Sequence, residues 1–268
     1  MEPRHLEIAH DLMEDIDEGR YPPGAALPTE DKLMGRYGTS RNTVRRALQE
    51  LTSRGRIDVK QGSGSTVRSY DPVTHLADAS AEGDDGERYA SYVDRPGGER
   101  DAEPHERLRV MVEAAGDAVA ELLGLGEGDD RSVVIRRCDR YLGGRLWQRQ
   151  MAYYPRSLTA DTPRGSELVG PEDIPGGARA LLEEMGHPQT GSWDVIGAKM
   201  PSLKESTLFS IGPGVPLMVH DRLAYSGDRP IRLIRTVMPA DRHQLLYHEG
   251  ELPPEALRAG MGVNVHDR

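Results

Sequence analysis

The stretch from Leu27 to Val67, LPTEDKLMGRYGTSRNTVRRALQELTSRGRIDVKQGSGSTV, constrains the fold more than any other part of the chain. Two helical patterns flank a tight turn, and a strand, a glycine-bearing hairpin and a second strand follow, which is the outline of a winged helix-turn-helix. Ser40 stands where its hydroxyl can accept an early backbone N–H of the second helix. At about 100° per residue, Val44, Ala47, Leu48 and Leu51 then share the inward side, while Arg41, Asn42, Arg45, Arg46 and Gln49 share the outward arc. Arginine can bond guanine bidentately and Asn or Gln can bond adenine, so this arc suits a recognition helix. A solvated helix face would look similar in isolation, and local charge favours the first reading. Between Arg36 and Arg68 the bases are Arg36, Arg41, Arg45, Arg46, Arg54, Arg56, Lys60 and Arg68, against Glu50 and Asp58 alone, in a chain whose net charge is −10. A cationic island in an anionic protein is the electrostatic footprint of a DNA-binding module.

The flanks agree with this outline. A first helix is expected from Arg4 to about Glu18, with Leu6, Ile8, Ala9, Leu12, Met13 and Ile16 as its apolar stripe and Gly19 as its end. Thr29 is the expected cap of the next helix, and Glu30 and Asp31 occupy the first turn, where the helix dipole favours acids. After Gly55, residues Arg56 to Lys60 read as a strand, Gln61 to Ser65 as a turn and Thr66 to Arg68 as the return. Gly62-Ser63-Gly64 is either a plain hairpin turn or, beside a recognition helix, a wing whose bare backbone approaches phosphates, with Lys60 and Arg68 flanking it.

The string GRYPPGAALPTEDKL…YGTSRNTVRRALQELTSRGRI…GSGSTV resembles the winged-helix domain of GntR-type bacterial transcription regulators over roughly the first seventy residues. The resemblance implies DNA contacts by Ser40, Arg41, Asn42, Thr43 and Arg45, with Gly62 at the wing. Arg46, Lys60 and Gly64 join them on position and charge. Many relatives carry an arginine after the PTE or PSE triplet; this chain has Asp31 there.

The remaining composition narrows the class. No apolar run approaches the about 18 residues that span a bilayer, and MEPRHLEIAHDLMEDIDEG is charged and helical in pattern rather than a signal peptide. A soluble cytoplasmic protein without a membrane partner is expected. Cys138 is the single cysteine, which excludes an internal disulfide and any cysteine-rich metal site. No HExxH, GxSxG or phosphate-loop signature is present, and His243 and His248 are awkwardly spaced for sharing one helical face. No catalytic residue, metal or cofactor is therefore expected.

From Ser69 to Pro104 the chain turns to Asp, Glu, Gly, Ala and Ser, with the acid run Glu82-Gly83-Asp84-Asp85-Gly86-Glu87, and reads as a tether. Strand signals then cover Arg107 to Val112, Ser132 to Tyr141, Leu146 to Tyr154, Asp194 to Lys199, Pro216 to Tyr225 and Ile231 to Met238. Helices are expected from Asp117 to Leu125, from Gly177 to Glu184, and after the capping box Ser202-x-x-Glu205. The expected fold class is α+β: a winged helix-turn-helix at 1–68, an acidic linker at 69–105, an antiparallel-sheet α+β domain at 106–249 and a tail at 250–268.

LLGLGEGDD, the arginine-rich strand before Gly144, Ala152-Tyr153-Tyr154-Pro155, Gly214-Val215-Pro216 and Pro239-Ala240-Asp241-Arg242 together resemble the UTRA effector-sensing domain of the HutC branch of GntR-type regulators, whose fold is similar to chorismate lyase. The resemblance implies effector contacts at Arg140, Gln150, Arg179, Arg232 and Met238. Cys138 stands where the family has a second strand arginine, and Gly177 occupies another of its ligand positions. Alternation places Arg136, Cys138 and Arg140 on one strand face. Arg140, Arg179 and Arg232 gathered in one pocket would favour an anionic effector, whereas the same arginines in surface ion pairs would not. The expected function is a homodimeric DNA-binding transcription regulator, a repressor by family habit, whose affinity for operator DNA responds to a small effector. A constitutive dimeric DNA-binding protein and, on the fold likeness, a lyase-like enzyme are the alternatives.

Overall fold

The computed structural model describes residues 3–60, 64–69, 72–76, 105–126, 131–142, 144–160, 162–212 and 214–265. Two compact units emerge: Met1–Pro72 with Met200–Pro216 and Asn264–Arg268, and Val73–Lys199 with Leu217–Val263.

In the first unit, α1 (Arg4–Asp17), α2 (Glu30–Tyr37) and α3 (Arg41–Ser53) precede the antiparallel strands β1 (Ile57–Lys60) and β2 (Gly64–Val67). Ile8, Leu12, Leu33, Val44, Leu51 and Ile57 are almost wholly buried in one core. Burial of each contributes about 1.5–3 kcal/mol. Gly38, at φ +58°, adopts the left-handed conformation that ends α2 and lets the chain double back into α3 within three residues. The acids of α1 grip α2: Arg36 bonds Asp15 at 2.7 Å and Asp11 at 3.0 Å, and Tyr37 donates to Asp11. Ala26 bridges to Thr66, adding a third extended segment beside β2.

The second unit is built on a six-stranded antiparallel sheet ordered β4-β5-β6-β9-β8-β7. Its strands are β4 (His105–Ala114), β5 (Ser132–Leu142), β6 (Arg145–Pro155), β7 (Gly191–Lys199), β8 (Leu217–Ser226) and β9 (Arg229–Pro239). Val133, Ile135, Leu223 and Leu233 face a core that includes α4 (Asp117–Leu122). Val134, Ala152, Tyr154, Ala224 and Ile231 face the opposite core, with α5 (Gly165–Val169) and α6 (Gly177–Glu184). Both faces are covered at this end of the sheet, which explains the unbroken apolar run Val133-Val134-Ile135. Arg136 donates to the carbonyls of Leu168, Gly170 and Glu172 at 3.0, 2.8 and 2.6 Å, satisfying backbone acceptors that α5 leaves open at its C-terminal end.

The Ser202–Glu205 capping box forms as expected and opens α7 (Leu203–Phe209), which belongs to the first unit. Two expectations need revision. Within the segment read as a linker, β3 (Val73–Leu76) pairs in parallel with β10 (His243–Leu246). Within the expected tail, α8 (Pro254–Met261) forms, and its Met261 carbonyl accepts from Thr74 at 3.0 Å. Both pairings join residues far apart in sequence, so no local pattern announces them. The buried His75 and His243 lie 2.7 Å apart, Nε2 to Nδ1, and His243 Nε2 lies 3.0 Å from the Trp147 carbonyl. A carbonyl only accepts, so His243 Nε2 donates to it and His75 Nε2 donates to His243 Nδ1. Residues 77–104, including the acid run, lie outside the described residues.

Candidate nucleic-acid interface and effector face

Ser40 caps α3 by accepting from the Thr43 N–H at 3.3 Å. Val44, Ala47, Leu48 and Leu51 are buried, and Arg41, Asn42, Arg45, Arg46 and Gln49 are exposed on the other side, as the angular reading requires. The acids of α2 reach across to this arc. Arg41 Nη2 donates to Asp31 at 2.5 Å, and Arg45 Nε donates to Glu30 at 2.9 Å. The Asp31 bond raises the Arg41 pKa, so Arg41 stays charged. Glu30 and Asp31 are therefore more than dipole partners: they hold two exposed guanidiniums of α3. Among the described residues Arg46 has no acidic partner.

The basic island is smaller than its residue count. Arg36 is committed to Asp11 and Asp15, Arg54 to Glu50 at 2.7 Å, and Arg56 to Asp17. Arg68, expected to flank the wing, is instead buried and bonds Asp58 at 2.7 Å. Gly64 opens β2 in an exposed, left-handed conformation at φ +87°, and among the described residues no heavy atom beyond its chain neighbours lies within 4 Å of where a Cβ would stand. Gly62 and the side chain of Lys60 lie outside the described residues.

On the second unit's sheet, cross-strand register assembles what alternation on one strand only suggests. Cys138 stands opposite Gln150, Gln150 opposite Thr236 and Thr236 opposite His220. This polar row crosses four strands on the face shared by Arg136 and Arg140. Arg140 lies one step along, opposite Gln148, and its Nε donates to Glu106 at 2.7 Å. On the row's other side Arg222 donates to Asp194 at 2.7 Å, and the ring of His220 lies 2.6 Å from the same carboxylate. Burial pushes the Asp194 pKa up, but the bonds from Arg222 and His220 outweigh it and leave the carboxyl below its usual range.

The residues carried over by resemblance fall into two groups. Gln150 belongs to the polar row, and Arg140 and the buried Met238 flank it. Arg232 lies opposite Ala224, beside the helix-covered core, and donates to Gln189 at 2.9 Å. Six residues of β9 separate it from Met238, about 20 Å at strand spacing. Arg179 is exposed on α6. The three arginines do not form one compact cationic pocket, because Arg140 already has a carboxylate and Arg232 sits toward the other end of the sheet. Thr236, His220 and Asp194 were not foreseen. Period-two counting back from Met238 places Thr236 on the right face, but only the register brings β8 and β7 beside it.

A capped helix that turns exposed arginines outward, with a wing beside it, defines a DNA-reading head; a half-open polar sheet face defines a unit suited to small-molecule recognition. The class is that of a ligand-responsive DNA-binding regulator. The family model for bacterial regulatory proteins of the gntR family matches residues 4–67, and that for the UTRA domain matches residues 101–244. The chain is 26% identical to a histidine utilization repressor of Pseudomonas putida over 259 residues, covering 91% of this chain and 90% of that one. It is 29% identical to an uncharacterized HTH-type transcriptional regulator of Streptomyces coelicolor over 219 residues, 79% of each. A crystal structure of a GntR-family transcriptional regulator aligns with a TM-score of 0.62 at 22% identity, covering 94% of this chain and 99% of that one. PhnF from Mycobacterium smegmatis aligns at 0.50 and 19%, covering 91% and 100%. The chain belongs to the GntR family of transcription regulators, in its UTRA-domain branch. Its relatives are regulators of transcription rather than enzymes.

Proposed function

We propose that the protein is a cytoplasmic, homodimeric repressor that leaves its operator when a small acidic effector binds the polar face of the UTRA domain. DNA is read by Ser40, Arg41, Asn42, Thr43, Arg45 and Arg46, with Lys60, Gly62 and Gly64 at the wing. The effector rests on the row of Gln150, Thr236 and His220 and offers its acidic group to Arg140 in place of Glu106. Met238 forms an apolar side of this site, and Arg179 and Arg232 meet only the far end of an elongated effector. The observation that carries the reading is the cross-strand row itself: four polar side chains aligned beside a buried arginine whose carboxylate partner is partly exposed. Release requires that effector and DNA favour different states of the protein.

Fluorescence anisotropy on the DNA upstream of the protein's own gene, against a metabolite panel, tests this. L-histidine heads the panel because two relatives are named histidine utilization repressors. An effector should release wild-type protein, and an Arg140→Gln variant should bind DNA normally yet need at least about tenfold more effector, the value of one charge-assisted bond. Equal effector response in the variant would remove Arg140 from the site. Selective DNA binding that no compound of a broad panel alters would favour a constitutive dimer.

A further inference from the structure

The end of the sheet remote from Arg140 carries a cleft that the effector reading does not use. It has a volume of about 530 Å3. Its walls are the glycine-bearing turn after α4, the 3-10 turn Arg156–Thr159, and the start of β9 at Arg229 and Pro230. At Gly124, φ +62°, a Cβ would stand 3.8 Å from the Pro230 ring. Ser132 also lines the cleft and stands eight residues of β5 from Arg140, about 26 Å at strand spacing.

Two guanidiniums line this one space. Arg229 donates to the Ser157 hydroxyl, a neutral partner, at 2.9 Å. Arg156 is exposed, and among the described residues neither arginine reaches a carboxylate. Arg131, Arg140, Arg149, Arg222 and Arg235 of the same unit each hold one. Among the described residues, then, two cations share a concavity that no carboxylate enters. Like charges facing one cleft repel until an anion joins them, and each guanidinium fork matches two oxygens of a carboxylate or phosphate. The Ser157 hydroxyl accepts from Arg229 and keeps its own proton to donate, whereas the Thr159 hydroxyl already donates to the Arg156 carbonyl at 2.9 Å. Arg156 and Thr159 also line a second hollow of about 490 Å3 that continues toward Thr162 and Ser166, with room for the uncharged body of a ligand.

We propose that this cleft is a second ligand site, separate from the effector face, which binds a small dianion through Arg156 and Arg229. Phosphate monoesters and dicarboxylates share the required chemistry. Inorganic phosphate and succinate, each titrated into the full-length protein at constant ionic strength with chloride as control, separate the two sources. Thermal melting and calorimetry should show saturable binding of at least one probe, with a rise in melting temperature of about 2–4 °C at saturation. An Arg156→Gln/Arg229→Gln double variant should lose at least about tenfold in affinity while melting as the wild type does without probe, since both side chains are exposed. Arg140→Gln should bind the probe as well as wild type. The proposal is overturned if neither probe binds saturably, if the double variant binds as well as wild type, or if Arg140→Gln alone removes binding.

Discussion

Arg41, Arg45 and Arg46 share one exposed arc, yet their surroundings differ: Asp31 and Glu30 hold the first two, and among the described residues the third has no acidic partner. Exposed ion pairs are weak and are screened by salt. Asp31→Asn should therefore tighten operator binding by about 1.5- to 5-fold in low salt, with the gain vanishing at high salt; anisotropy at two salt concentrations would show it, and weaker binding would mean that Asp31 positions Arg41 for the operator. The buried histidine pair yields a pH prediction. Burial and then the field of His75 depress the His243 pKa well below its ordinary value. The unfolded chain therefore binds a proton that the folded chain refuses, and stability present above about pH 6.5 is lost as pH falls toward the folded value. Urea melts between pH 8 and 5 should show this fall, less steep in a His243→Gln variant; identical slopes would assign it to other groups, such as His187, whose pKa burial also lowers. Side-chain identity at α3 was legible in the sequence. Its ion-pair partners were not, because Glu30 and Arg45 are 15 residues apart and meet only when α2 packs across α3.

At the scale of elements, the caps and turns follow from local chemistry and the pairings do not. Ser40→Ala removes the side-chain acceptor at the start of α3 and should cost about 1 kcal/mol, read as a lower urea midpoint with unchanged slope. Arg136→Met keeps the length of the buried side chain but abandons the carbonyls of Leu168, Gly170 and Glu172, and should cost about 2–3 kcal/mol. A neutral result would mean that water replaces the guanidinium there. The α3 boundaries, the capping box at Ser202 and the two long hairpins lie close to where propensity and turn residues put them, since each rests on contacts within a few residues. β3, β10 and α8 escaped notice because their stabilising partners lie more than 160 residues apart or in a segment with weak periodicity.

For the whole molecule, the distribution of charge decides how a protein of net charge −10 binds DNA. Most bases near α3 are paired internally, Arg41 and Arg45 among them, and these two with Arg46 are the described cations exposed on its outward arc. If two heads of a dimer each commit these three, the plot of log affinity against log salt should have a slope of about −5. A slope near −3 would indicate a single head.

The class was readable along the chain, because the angular separation of apolar and basic residues on α3, the strand and turn signals of the second half, and the family motifs they carry are all local. Which arginines are available and which residues share a surface follow instead from packing between distant segments. Register set Cys138, Gln150, Thr236 and His220 in one row, and α2 brought Asp31 and Glu30 onto Arg41 and Arg45. The physical reason is common to both. The partner of a charge or of a strand is selected by packing between distant segments, and composition along the chain carries no record of that distance.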